Sequence, residues 1–278
     1  MTLAEALRHG ADRVGQRDAI LLLAHVTGYS KSRIRIYGNE ALSEPSRVQY
    51  MKCLERRQRH EPVQYIIGKW DFMGLELNVD KRALIPRPET ELLVEEALKF
   101  IKEITEKRGG SQVKVLDVCT GSGCIALAIA HLTDASEVSI TATDISRDAL
   151  SLASENATKN RFWQKRQNFI ESDLLDKVTG TFDVIISNPP YILSGDMAGL
   201  SETVRGFEPH LALDGGADGM DIYRRLIPQC VKALNPGGVL LLEIGVAEVA
   251  DLMTDAGFKD VKILRDYAGL ERIIIGVR

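Results

Sequence analysis

At 278 residues the chain is long enough for one full α/β domain and a small second one. A formal net charge of −4 and a pI near 5.8 argue against the broad basic face that contact along nucleic-acid phosphates needs, so no direct DNA binding is expected. No apolar stretch approaches the ~20 residues that span a bilayer. Glu5 interrupts any signal-peptide core, and Cys53, Cys119, Cys124 and Cys230 are scattered with no Cys-x-x-Cys pair, so the reading is a cytoplasmic protein with reduced thiols, no membrane contact and no metal site.

Residues 1–66 read as helix after helix, a small bundle without strand pattern. Leu3, Leu7, Ala11 and Val14 share one helical face, and residues 18–26 hold a strongly apolar run that ends at Thr27-Gly28. Ser43 can cap a helix with Glu44 and Pro45 in its first turn; Val48, Met51 and Leu54 are expected to face inward. That helix ends in Arg56, Arg57, Arg59 and His60, a basic last turn that complements the helix dipole. Residues 67–85 read as a hairpin linker turning at Met73-Gly74, and residues 86–278 as the larger α/β domain.

The α/β domain opens on Pro86-Arg87-Pro88-Glu89-Thr90-Glu91. Pro88 with two acids behind it is a good helix start, and the same acids are equally placed to clamp a substrate; the local physics does not choose. The helix is expected to run to a polar loop at residues 106–110. Next comes the strand Val113–Val118, breaking into Cys119-Thr120-Gly121-Ser122-Gly123 and an Ala-, Leu- and Ile-rich helix. Gly121 and Gly123 let the backbone approach a ligand, and the helix N-terminus faces it with free N–H groups. About 20 residues on, a second strand ends in Asp144, an offset that suits a carboxylate accepting both hydroxyls of a ribose. Residues 167–174 read as a further strand, whose Asp173 can meet an adenine amino group while Leu174 packs on the ring.

The apolar run Phe182-Asp183-Val184-Ile185-Ile186 leads into Ser187-Asn188-Pro189-Pro190-Tyr191. Neither proline has an N–H and both fix φ near −65°, so the backbone leaves the sheet extended. The Asn188 side-chain oxygen and the Pro189 carbonyl are two acceptors beside an aromatic ring, a set that suits a planar –NH2 group on an amide or a nucleobase. Residues 192–222 form a long segment without periodicity, read as a lid beside the pocket. The chain finishes in two alternating runs, residues 258–266 and 271–277, joined too closely for anything but antiparallel pairing.

The glycine loop also satisfies the dinucleotide pattern, so a nicotinamide enzyme is a competing reading. Two features favour S-adenosylmethionine. Asp117, at the mouth of the first strand, suits an amino-acid ammonium, directly or through water, and would repel a pyrophosphate. A parallel sheet closed by an antiparallel hairpin is the layout of the seven-stranded, Rossmann-like S-adenosylmethionine-dependent methyltransferases. With no His–acid pair among His9, His25, His60, His131 and His210, the histidines read as surface or core residues.

Taken together, the helical N-terminus, the Pro86–Glu91 segment, the Asp117–Gly123 loop, Asn188–Tyr191, Phe207-Glu208-Pro209 and Gly215-Gly216-Ala217-Asp218-Gly219 resemble the release-factor glutamine methyltransferase family (PrmC, or HemK). The resemblance covers nearly the whole chain; Cys119 departs from it, standing where many methyltransferases have the first loop glycine. It implies N5-methylation of the glutamine in the Gly-Gly-Gln tip of peptide-chain release factors. Asn188, Pro189 and Tyr191 are then the catalytic residues. With Pro190 they bind the substrate amide. Asp117, Cys119, Thr120, Gly121, Ser122, Gly123, Asp144, Asp173, Leu174 and Asn188 hold the cofactor. Rival readings are a ribosomal-protein glutamine methyltransferase, a DNA adenine-N6 methyltransferase and a non-catalytic module that keeps S-adenosylmethionine as a structural ligand.

Overall fold

The computed structural model describes residues 1–108, 111–134, 136–161 and 167–278. By internal packing these form two units, Met1–Lys69 with Ser201–Phe207, and Trp70–Leu200 with Glu208–Arg278. The short stretch Ser201–Phe207 falls within the range that the sequence assigned to the larger α/β domain. Its single helical turn, Glu202–Arg205, is tied into the first unit by His60 to Glu202 at 2.7 Å and by Arg57 to the Thr203 hydroxyl at 3.4 Å.

The first unit is helical, with Leu3–Val14, Gln16–Thr27 and Glu44–Gln58 as its longer elements. Ser43 caps the last of these, accepting from the Ser46 N–H, as its sequence position predicts. The buried face of that helix differs from the expected one. Val48 is 43% exposed and Met51 only partly covered, while Tyr50, Cys53 and Leu54 point inward. Tyr50 decides the rotation: its hydroxyl donates to the Ala19 carbonyl, and its ring end occupies the space where a Cβ on Gly10 would stand, 1.9 Å from the phenol oxygen. The basic last turn makes specific ion pairs, Arg57 with Asp18 at 2.6 Å and Arg56 with Glu61 at 2.5 Å.

The second unit, from Trp70, opens on the hairpin of β1 (Lys69–Phe72) and β2 (Leu75–Asn78). Met73 and Gly74 both take positive φ, as a two-residue turn between twisted strands requires. Phe72, Leu75 and Leu77 are buried in the main core beside Val115 and Ile186, so the hairpin is part of the domain's packing as well as a connection. The helix Pro88–Arg108 follows; it takes in residues 106–108 of the expected loop, whose Gly109 and Gly110 lie outside the described residues.

Among the described residues the central sheet has seven strands: β3 (Val113–Val118), β4 (Val138–Asp144), β5 (Gln167–Glu171), β6 (Phe182–Ser187), β7 (Leu234–Glu243), β8 (Lys259–Arg265) and β9 (Glu271–Val277). Their spatial order is β5-β4-β3-β6-β7-β9-β8. The strands from β5 across to β7 are mutually parallel, and β9 runs antiparallel to both β7 and β8. The expected terminal hairpin is present, with its second strand as the inner one. Side chains alternate between two cores: Val115, Ile186 and Leu241 join one, Leu116, Ile185 and Leu240 the other, so the interior strands are apolar on both faces. Chain order reverses between β3 and β6, and ligand crevices of open α/β sheets form at the carboxyl ends of such a pair. Among the described residues no helix is long and apolar enough to cross a membrane.

Candidate active site

The loop leaving β3 is shaped by three residues at positive φ: Cys119 at 59°, Gly121 at 55° and Gly123 at 81°. Glycine is usual at the first position for this reason. A side chain there costs roughly 1–2 kcal/mol, and Cys119 bears it with its sulfur turned toward the second core. The loop is pinned from β4: Thr120 N–H donates to the Thr143 carbonyl, and Gly121 N–H to Asp144 Oδ2, each at 2.9 Å. Asp144 Oδ1 accepts from Ser146 N–H at 2.8 Å. Both oxygens are thus tied to backbone N–H groups, and the carboxylate, which lines the cavity, retains acceptor capacity toward it. Burial raises the pKa of this carboxyl above its ordinary value.

Asp117 is fully buried behind the loop. Its Oδ2 accepts from the Thr120 hydroxyl at 2.6 Å and from Ala126 N–H at 3.2 Å; its Oδ1 is buried with no partner among the described residues. Burial, helped by the Asp144 charge, pushes its pKa up to about 7 against the two hydrogen bonds. Between the ordinary carboxylate range and about pH 7 the folded chain thus holds a proton that the unfolded chain has released. That contribution to stability is lost as pH rises toward 7. Asp117→Asn should therefore gain stability relative to the ligand-free wild type as pH is raised from 5 to 7.5. A pH-independent gap between the two melting curves would show that Asp117 is ionised throughout.

At the neighbouring strand end, β6 passes into Asn188-Pro189-Pro190-Tyr191. Asn188 Nδ2 donates to Thr90 Oγ1 at 3.2 Å, and Thr90 donates its hydroxyl hydrogen to Glu243 Oε2 at 2.7 Å. Glu243 sits at the end of β7, next to β6 in the sheet, and is 1% exposed. Its other oxygen accepts from the Tyr191 hydroxyl at 3.3 Å. Burial pushes the Tyr191 phenol up to about 12, so it keeps the proton it donates. Glu243 is itself raised by burial, against the pull of Thr90, Arg272 and Tyr191. The Tyr191 ring lies so close over Gly245 that a Cβ there would stand 2.5 Å from the ring. Ile192 and Ser194 are paired to the 213–216 stretch by Ile192 N–H to the Leu213 carbonyl and Ser194 N–H to the Gly216 carbonyl.

The rim draws on the Pro86–Glu91 segment. Arg87 reaches Glu208 at 2.5 Å, and the same buried carboxylate accepts from Ile85 N–H at 3.1 Å. Glu91 accepts from Met73 N–H at 3.1 Å, holding the tip of the β1–β2 turn. Asp173 is joined to Arg225 at 2.7 Å, and Leu174 is buried at φ 50°.

One cavity is lined by Cys119, Thr120, Gly121, Ser122, Asp144, Asp173, Leu174, Asn188 and Pro190, all anticipated from sequence. Asp117, Gly123, Pro189 and Tyr191 do not line it: Asp117 backs the loop, Gly123 starts the helix Cys124–Leu132, Pro189 is buried, and Tyr191 packs toward the second core. Of the long segment after Tyr191, Pro209, Leu211, Ala212 and Ile222 line the cavity. Sequence reading missed Thr90 as a polar partner, Arg225 and Glu243. An acid closing the run Val239-Leu240-Leu241-Leu242 is the signal that could have exposed Glu243.

Residues 4–68 match the PrmC N-terminal domain family and residues 93–203 the methyltransferase small domain family. The release factor glutamine methyltransferase of Clostridium acetobutylicum is 37% identical over 98% of this chain and 94% of its own length. That of Rhodopirellula baltica is 39% identical over 92% and 87%. The chain belongs to the release factor glutamine methyltransferase family. The solved hMettl16 catalytic domain, 12% identical with a TM-score of 0.59 over 91% of each chain, shares the fold. As a member of this family the chain is a methyltransferase with S-adenosylmethionine as methyl donor. Its residues fit that molecule. The left-handed Gly121 brings backbone to the cavity wall, and Asp144, tethered by the Gly121 and Ser146 N–H groups, lines the cavity beside it with acceptor capacity for a ribose.

Proposed function

We propose that this chain methylates N5 of the glutamine in the Gly-Gly-Gln tip of peptide-chain release factors. The observation that carries the reading is the shared cavity: the β3 loop with Asp144, and Asn188 with Pro190, at the carboxyl ends of adjacent strands. S-adenosylmethionine supplies a methyl group made electrophilic by its sulfonium. The loop from Cys119 to Ser122 would hold its amino-acid end, with Asp117 behind the loop acting through water, Asp144 would hold its ribose, and Asp173 with Leu174 its adenine.

An amide nitrogen is a weak nucleophile because its lone pair is delocalised into the carbonyl. Asn188 Oδ1 and the Pro189 carbonyl accept its two N–H bonds, returning electron density to nitrogen and aiming the lone pair. Tyr191 stands behind this pair, its hydroxyl on Glu243 and its ring over Gly245, and supports the strand end that carries them. The nitrogen takes the methyl as the donor's carbon–sulfur bond breaks and that electron pair stays on sulfur, leaving the neutral thioether S-adenosylhomocysteine. The methylated nitrogen then releases a proton to water, so no general base is required. Alignment is the chain's main contribution, an effect that reaches ~7–11 kcal/mol in favourable cases.

The first unit recognises the body of the release factor, since a glutamine in a pocket uses far less than the ~800 Å² per partner of an ordinary specific contact. Ile36 and Tyr37 are 73% and 53% exposed there, with Arg33 stacked 4.1 Å over Tyr29. The double replacement Ile36→Asp, Tyr37→Ala should raise KM for intact release factor about tenfold, the scale of an interface anchor. It should leave activity on a short Gly-Gly-Gln peptide unchanged; equal effects on both would remove this face from recognition. Supplying labelled S-adenosylmethionine with release factors, ribosomal proteins and duplex DNA in parallel tests the substrate class. Label on release factor alone is expected, and label on a ribosomal protein or on adenine would replace this reading with one of its rivals.

A further inference from the structure

We infer that Thr90 and Glu243 are positioning residues that fix which end of the Asn188 side chain meets the substrate. The inference rests on the proposed amide methylation and adds to it the origin of the acceptor's direction.

A carboxamide has a donor end and an acceptor end of nearly the same shape, and only its partners decide between them. Here the decision is passed along a chain of hydrogen bonds. Glu243 offers one oxygen to Thr90 and the other to Tyr191, and so takes two hydroxyl hydrogens. With its single hydrogen committed to Glu243, the Thr90 oxygen can only accept, so the Asn188 –NH2 must face it. Oδ1 is then the atom left for the cavity. Turned the other way, Asn188 would set its –NH2 against the –NH2 of the substrate amide, and two donors would meet where a donor and an acceptor are needed.

Burial makes the arrangement firm. Thr90 is 2% exposed and Glu243 1%, so water cannot readily substitute for a missing partner. The three residues come from separate elements: Thr90 from the first turn of the helix Pro88–Arg108, Asn188 from the end of β6 and Glu243 from the end of β7. Thr90 lies between Glu89 and Glu91 in the segment whose acids left helix start and substrate clamp undecided. It is the small residue between them that reaches the reaction centre's acceptor.

A double-mutant cycle tests this. Thr90→Val keeps the side chain's shape and removes its hydroxyl. It should lower kcat about 30-fold on a Gly-Gly-Gln peptide while calorimetric affinity for S-adenosylmethionine changes less than twofold. Thr90→Ser, which keeps the hydroxyl, should recover most of the loss. In an Asn188→Ala background the Thr90→Val change should cost less than twofold, because no amide is left to orient. Thr90→Ala, run alongside, gives the same comparison should the valine variant fold poorly. Equal losses with and without Asn188, or no recovery by serine, would overturn the inference and leave the methylation reading intact. A wild-type chain that transfers no methyl to release factor would instead refute that reading, and the inference with it.

Discussion

Asn188→Ala is expected to lower methyl transfer by roughly 10²–10³, the scale seen when a preorganised polar group is removed from a reaction centre. Affinity for S-adenosylmethionine should stay nearly constant. The side chain stands where β6 leaves the sheet, and the cofactor's main proposed anchors lie at the β3, β4 and β5 ends. Its loss removes one of the two acceptors that hold the substrate nitrogen, and Pro189 alone leaves the amide free to rotate about the remaining bond. Single-turnover rates with the cofactor saturating separate this effect from binding. A rate within a few-fold of wild type would mean that Asn188 does not orient the nucleophile.

Asp144→Ala should weaken S-adenosylmethionine binding by tenfold or more in calorimetry. Hydrogen bonds to a charged group are worth about 1.5–3 kcal/mol each, and two ribose hydroxyls would be lost. The same change also releases Gly121 and Ser146, whose N–H groups rest on the two carboxylate oxygens, so the glycine loop loses its tether to β4. Burial already raises the Asp144 pKa, so wild-type affinity should fall as the solution is acidified and the carboxylate is protonated. Unchanged affinity in the alanine variant would take Asp144 out of the cofactor site.

Much of this was legible in the sequence because it rests on local rules. The β3 loop, the acid closing β4, the Met73-Gly74 turn and the terminal antiparallel pair each declare themselves through residues whose backbone preferences are strong. The misreadings concern contacts between distant segments. Periodicity alone gave Val48 a place in the core that Tyr50 takes, while Met51 packs only at its edge, because the fit of a phenol against Gly10 is invisible along one helix. Residues 192–222 lack periodicity because they serve two bodies. Ser201–Phe207 packs with the N-terminal helices, whereas Pro209, Leu211 and Ala212 line the cavity. Likewise the acids around Thr90 attracted the functional reading, yet Glu91 is committed to a turn N–H and Thr90 bonds Asn188. Hydrogen bonds spanning 98 and 153 residues leave no trace in a local window.

The central claim is that this chain places a methyl group on one side-chain nitrogen of one glutamine. Fragmentation mass spectrometry of release factor, after incubation with the full-length chain and S-adenosylmethionine, tests it most directly. The account predicts a single methyl on N5 of the Gly-Gly-Gln glutamine, absent when that glutamine is replaced by alanine. A methyl on any other residue, or undiminished methylation of the alanine variant, would contradict it.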